Sequence, residues 1–187
     1  MRKAEGNLST NQKLIETNVL ALEEGAQLLK VLKGNQYTEG YKPAFHSTVG
    51  AHFRHVLEHY RCFLRQRECL QFCYDKRERD QQLETDVEYA KNTIDELIVG
   101  LQKLDNDVFE EKYTVVDEQS QCPVETSLHR ELLFLQSHTV HHYAIIGAMT
   151  RAFGNQPDEE FGIAIATRTH QKKLTESKLG EPSICAQ

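Results

Sequence analysis

Six of the nine histidines in this chain fall on two short stretches: His52, His55 and His59 on one, and His138, His141 and His142 on the other. Both stretches read as helix. Residues four apart on a helix stack on one face, so His138 and His142 can present two imidazoles to one cation while a histidine from the other stretch supplies the third. Three neutral ligands leave a coordination position open, which separates catalytic zinc-type sites from closed structural ones. The expected cofactor is therefore a divalent transition metal.

Four helical patterns and two irregular connections must position these rings. Ser9, with Gln12 three residues on, forms a capping-box pattern ahead of an apolar stripe from Leu14 to Leu32, and Gly34-Asn35 stops it. A connection through Gly40 and Pro43 leads to a second helix, N-capped by Ser47 and reaching about Tyr74. On it Val49, His52, His55, Val56, His59, Phe63 and Leu70 share a face, so three histidines stand where aliphatic side chains would fill a core. A buried polar ring must find a partner, and one metal ion would satisfy several rings at once.

The run from Tyr74 to Asp80 is a dense mixed-charge connection that reads as a solvated loop. A third helix follows from about Thr85 to Lys103, with Val87, Ala90, Ile94, Leu97, Ile98, Leu101 and Leu104 at bundle spacing. Tyr113-Thr114-Val115-Val116 predicts extended chain, as in a small hairpin, before Pro123. The fourth helix spans Thr126 or Ser127 to Phe153, with Leu128, Leu135, His138, His142, Ile146 and Met149 on its core face. His141 lies about 100° round from His142 and so belongs to the rim. Phe161 to Ala166 is expected to pack on the bundle, and Gln171 to Gln187 reads as a polar, mobile tail.

At 187 residues with 39% hydrophobic content, the chain suits a single domain over 1–187, with the bundle at about 10–155 and a C-terminal segment and tail at 156–187. A formal charge of −6, with basic residues dispersed among acids, argues against nucleic acid as a partner. No apolar run approaches the ~20 residues of a membrane span and the N-terminus has no apolar leader, so the expectation is a cytoplasmic protein with no membrane partner. Cys62, Cys69, Cys73, Cys122 and Cys185 are odd in number and contain no C-x-x-C pair, so they frame neither disulfides nor a zinc knuckle. Cys62, Cys69 and Cys73 read as small buried hydrophobes.

Other site chemistries lack their residues. There is no H-E-x-x-H, and Glu125-Thr-Ser-Leu-His129 is one residue too long for the Glu-x-x-His of carboxylate-bridged di-iron bundles. No phosphate-binding glycine loop or serine nucleophile elbow is present. Any one histidine, taken alone, is more often a hydrogen-bonded core residue than a ligand; two facing clusters weaken that reading.

With these residues in view, the chain resembles the DinB/YfiT superfamily of metal-binding four-helix bundles. Thr48-Val-Gly-Ala-His52-Phe-Arg-His55-Val-Leu-Glu-His59-Tyr is similar to the family's second-helix histidine motif, and Glu131-Leu-Leu-Phe-Leu-Gln-Ser-His138-Thr-Val-His141-His142-Tyr to its fourth-helix H-x-x-x-H motif. The resemblance covers about residues 10 to 155. It implies an all-α, DinB-like four-helix bundle in up-down-down-up order, with a short extended segment before the fourth helix. That order requires the charged connection after Tyr74 to run along the bundle.

The resemblance also implies His55, His138 and His142 as ligands of zinc or nickel, with His59 and His52 competing for the second-helix position because they share its face. It further implies a metal-dependent hydrolase or a thiol-dependent S-transferase acting on a small molecule, a low-molecular-weight thiol among the candidates. His59, His52 and His141 are the candidate proton-transfer residues. A homodimer is among the assemblies expected. Two rival readings are a bundle whose metal only ties the second and fourth helices together, and a haemerythrin-like iron and dioxygen binder. The second lacks clear bridging carboxylates.

Overall fold

The Ser9 hydroxyl accepts from the Gln12 N–H while the Gln12 side chain accepts from the Ser9 N–H, so the first helix opens on the predicted capping box. In the computed structural model, which describes residues 8–40 and 46–179, this helix, α1, runs Thr10–Val31. Pro43, Cys185 and the end of the expected tail lie outside the described residues. The other elements are α2 (Val49–Gln66), β1 (Gln71–Phe72), α3 (Gln82–Thr85), α4 (Val87–Gln102), β2 (Tyr113–Val115), β3 (Val124–Thr126), α5 (Leu128–Ala152) and α6 (Ile165–Leu179). Helices α1, α2, α4 and α5 form a four-helix bundle in which α1 and α2 each pack on α4 and α5.

Helix α2 departs from expectation at both ends. Its cap is Thr48, whose hydroxyl accepts from the Ala51 N–H, rather than Ser47. It stops at Gln66, not near Tyr74, and the chain that leaves it buries Phe72. After a tight turn ending at Leu70 (φ 55°), Phe72 enters the core, stacked on Phe63 and Tyr113. The Gln66 amide holds that exit by bonding both the N–H and the carbonyl of Cys73. Leu70, expected on the buried face, is exposed. Cys62 and Cys73 are buried as expected, whereas Cys69 is exposed.

The predicted extended segment is β2; its antiparallel partner β3 lies beyond Pro123 rather than before it, and β1 adds to β2 in parallel, with Gln71 opposite Thr114.

The mixed-charge connection is not simply a solvated loop. Glu78 pairs with Arg65, Asp80 with Arg61 at 3.0 Å, and Glu84 with Arg54 at 2.6 Å, so the chain walks back along α2 from its C-terminal to its N-terminal end. The Asp80 N–H donates to the buried Glu58 carboxylate at 2.5 Å. At the end of this return, α3 lies directly on α2 at Gly50, where a Cβ would stand 2.1 Å from the Glu84 carbonyl oxygen. Only glycine permits that approach. Asp86 then caps α4, starting it two residues later than the spacing predicts.

The expected mobile tail is corrected in part: residues through Leu179 are helical in α6. Lacking an apolar stripe, α6 leans on charge, with Arg168 bonding both oxygens of Glu24 at 2.8 and 3.1 Å. Phe161 packs as expected, buried and stacked on Tyr143 with ring centroids 4.8 Å apart.

Candidate metal centre

A buried polar network sets the register of α2 against α5. The Tyr60 hydroxyl donates to Asn18 Oδ1 at 2.9 Å, and Asn18 Nδ2 donates to the carbonyls of Leu14 (2.8 Å) and Leu132 (3.1 Å). The Thr139 hydroxyl donates to the Leu135 carbonyl and lies 3.2 Å from the Tyr60 hydroxyl. Tyr60 facing Thr139 brings their chain neighbours, His59 and His138, face to face. His52, His55, His138 and His142 therefore flank the core stripe, half-buried, while Thr139 and Tyr143 take its centre.

Among the described residues, His55, His138 and His142 form the group of metal-ligating side chains whose ligand atoms all lie within 4.8 Å of one another. His55 Nε2 is 3.1 Å from His138 Nε2, and His52 Nδ1 is 3.0 Å from His142 Nδ1. His59, buried, puts Nδ1 2.6 Å from the His55 carbonyl oxygen one turn back, so that nitrogen carries the proton and donates. His141 is exposed with its ring edge-on to His142, on the rim where the spacing puts it. His170 and His46 are exposed elsewhere, and His129 bonds Asn11.

Every inward ring is held neutral. Burial, then the charges of His59, His142, His138 and Arg77, lowers the pKa of His55 from 6.5 to about 2. Burial followed by neighbouring histidines lowers His142 to about 3, and burial with His141 and Arg77 lowers His138 to about 4. Burial also lowers His59 to about 4, against the opposing effect of its bond to the His55 carbonyl. Burial and His141 lower His52.

Three residues around the cluster escaped the reading of the sequence. Tyr74, expected as the end of a helix, stacks on His59 with centroids 5.4 Å apart and donates to the buried Glu131 at 2.7 Å. Phe134 stacks on His138 at 5.4 Å. Arg77, within the charged run, has a side chain only 15% exposed and donates to the Tyr74 carbonyl at 2.5 Å. No periodicity marks residues that a loop folds back over a helix. Phe134, four residues before His138, was the one that helical spacing could have found.

The donor set suits a divalent transition ion. Two imidazole nitrogens each about 2.1 Å from one ion, at about 90–110° to each other, stand about 3.0–3.4 Å apart, and the His55–His138 separation falls in that range. The rings are neutral, as ligation requires. His138 Nδ1 is buried without a partner, so this ring is not explained as a satisfied core histidine.

No family model matches the chain. FK506-binding protein 5 of Rhizopus delemar is 32% identical over 109 residues, which make up 54% of this chain and 27% of that protein. The chain thus spans about a quarter of the length of the curated relative it matches. Two solved structures from Bacillus subtilis are similar. The DinB-like protein YjoA has a TM-score of 0.58 at 14% identity, covering 77% of this chain and 93% of its own. YfiT, described as a probable metal-dependent hydrolase with an unusual four-helix bundle topology, has a TM-score of 0.55 at 15% identity, covering 82% and 94%. No helix among the described residues is long and apolar enough to cross a membrane. The elements, their packing and both structural likenesses agree: this chain has the DinB/YfiT-like four-helix-bundle fold.

Proposed function

We propose that the chain is a metal-dependent hydrolase of small molecules, with His55, His138 and His142 holding one zinc or nickel ion. The observation that carries this reading is the mutual approach of three neutral imidazole donors from α2 and α5 within 4.8 Å. The description of YfiT as a probable metal-dependent hydrolase supports the reaction class. A divalent ion, when bound, supplies Lewis acidity that acidifies water or a thiol at neutral pH. The remaining work falls to the chain. With its Nδ1–H committed to the His55 carbonyl, His59 keeps a lone pair on Nε2 and is the side chain best prepared to take a proton from an attacking water. Tyr74 and Phe134 hold His59 and His138 by stacking and keep water from that side.

The same site serves thiol transfer if a low-molecular-weight thiol takes the open position. A di-iron carrier is less well supported, because the buried carboxylates Glu58 and Glu131 are engaged by the Asp80 N–H and by the Tyr74 and Thr126 hydroxyls. We further read the helix order as up-down-down-up. It is supported by His52 meeting His142 and His55 meeting His138 on oppositely running α2 and α5, and by the return of the chain along α2 before α4 begins.

Cobalt substitution followed by azide or thiol titration tests the site. A visible spectrum that shifts with millimolar ligand is the expected result. A spectrum indifferent to every ligand, with a fourth protein donor, would assign the ion a structural role. Hydrolysis of ester, amide and thioester panels by the zinc and nickel forms then separates hydrolase from transferase.

A further inference from the structure

We infer that His52 is a positioning residue for the metal centre, acting through His142, an assignment that rests on the three-histidine reading. The two rings approach through like atoms, Nδ1 to Nδ1 at 3.0 Å, a separation at which two imidazole nitrogens share one proton. With one proton between the two nitrogens, two arrangements are open. In one, His52 donates, and a neutral His142 must carry its proton on Nε2, where it cannot ligate. In the other, His142 Nδ1–H donates to the lone pair of His52 Nδ1, and His142 keeps its Nε2 lone pair for a cation. Ion binding selects the second arrangement, and His52 is the acceptor that makes it stable.

Geometry supports His52 as an orienter rather than a ligand. The three-histidine group leaves it out, while its ring stands 5.2 Å from that of His142, tilted by 46°. It lies one helical turn before Val56, and α2 is pinned on either side by the Gly50–Glu84 approach and the Tyr60–Asn18 bond. His52 is thus carried on a rigid segment. The contrast with His138 is informative: its Nδ1 is buried with no acceptor. Of the two α5 rings, His142 is the one with a partner aimed at its outer nitrogen. Partners that hold a ligating imidazole in one tautomer contribute to affinity without touching the ion.

The test is zinc affinity by competition with a chromophoric chelator, for wild type, His52→Ala, His52→Gln and His142→Ala. It is joined by long-range nitrogen–proton NMR of the histidine rings in zinc-loaded protein. The expected result is a 10–100-fold loss for His52→Ala with one ion still bound per chain. His52→Gln, whose amide oxygen also accepts, should recover most of that loss. In the wild type the His142 proton should reside on Nδ1. Affinity unchanged in both His52 variants, a proton found on His142 Nε2, or a loss as large as that of His142→Ala would each overturn the assignment. Failure of the wild type to take up zinc or nickel would overturn the three-histidine reading and this assignment with it. If His52→Ala does not fold, the glutamine variant and the wild-type NMR decide.

Discussion

Two polar regions sit on neighbouring faces of α2 and α5, and they are finished differently. In the network of Asn18, Tyr60 and Thr139 the side-chain groups are bonded to one another or to backbone carbonyls. In the histidine region nitrogen faces nitrogen at 3.0 and 3.1 Å, and His138 Nδ1 has no partner. Most structural polar groups buried in a bundle are bonded, because leaving one unpaired costs stability. A binding site must keep lone pairs uncommitted, at a cost in stability. The network registers the helices, and the histidines use that register.

The sharpest way to break this comparison is to remove one member of each region and read both affinity and stability. His138→Ala or His142→Ala should lower zinc affinity by more than about 100-fold, beyond what residues merely adjacent to ligands give. With chelator present, neither should destabilise the fold as removal of a network residue does. Chelator competition and urea unfolding check both halves. If these variants bind zinc like wild type, the histidine region is not a metal site.

Within α2, alanine at His55 should cost more affinity than alanine at His59 or His52, because only His55 lies within 4.8 Å of both fourth-helix rings. A larger loss at His59 would reverse that assignment.

On the other side of the comparison, Asn18→Ala removes the acceptor of the Tyr60 hydroxyl and a side-chain donor to the Leu132 carbonyl in a buried setting. About 1–3 kcal/mol of stability should be lost. Zinc affinity per folded molecule should stay within a few-fold, and a collapse of affinity would show that the two regions are one.

A fourth measurement uses pH. The folded pKa values of His55 (about 2), His142 (about 3), and His138 and His59 (about 4) all lie below the ordinary 6.5. Between pH 6.5 and about 4 the unfolded chain therefore binds protons that the folded metal-free chain does not, and stability falls as the pH falls. Metal-free wild type should be clearly less stable at pH 5 than at pH 7, with a weaker dependence in His55→Ala. The network holds no group that titrates there, so Asn18→Ala should keep the wild-type slope. The smallest effect is reserved for His170→Ala, exposed on α6, which should leave metal content and stability nearly unchanged.

Much of the bundle was legible because amphipathic periodicity is local. The capping box at Ser9 and the stripe of α4 appear where spacing predicts them, and Tyr113–Val115 is extended as predicted, although its hairpin partner β3 lies beyond Pro123. The histidine clusters were legible for the same reason, since i, i+3 and i, i+4 spacing fixes which residues share a face.

Choosing among His52, His55 and His59 was beyond the sequence. All three share one face, and only the Tyr60–Thr139 register shows which ring meets His138 and His142. The end of α2 was equally hidden, because burial of Phe72 against Phe63 and Tyr113 depends on a strand forty residues downstream. Composition marked the run from Tyr74 to Asp80 as charged, but its partners Arg61, Arg65 and Glu58 become neighbours only when the chain turns back along α2. The sequence by itself therefore determined the helices, their faces and the chemistry of the donors. Tertiary structure decided which donors meet, because meeting depends on contacts between residues far apart in the chain, which no local pattern records.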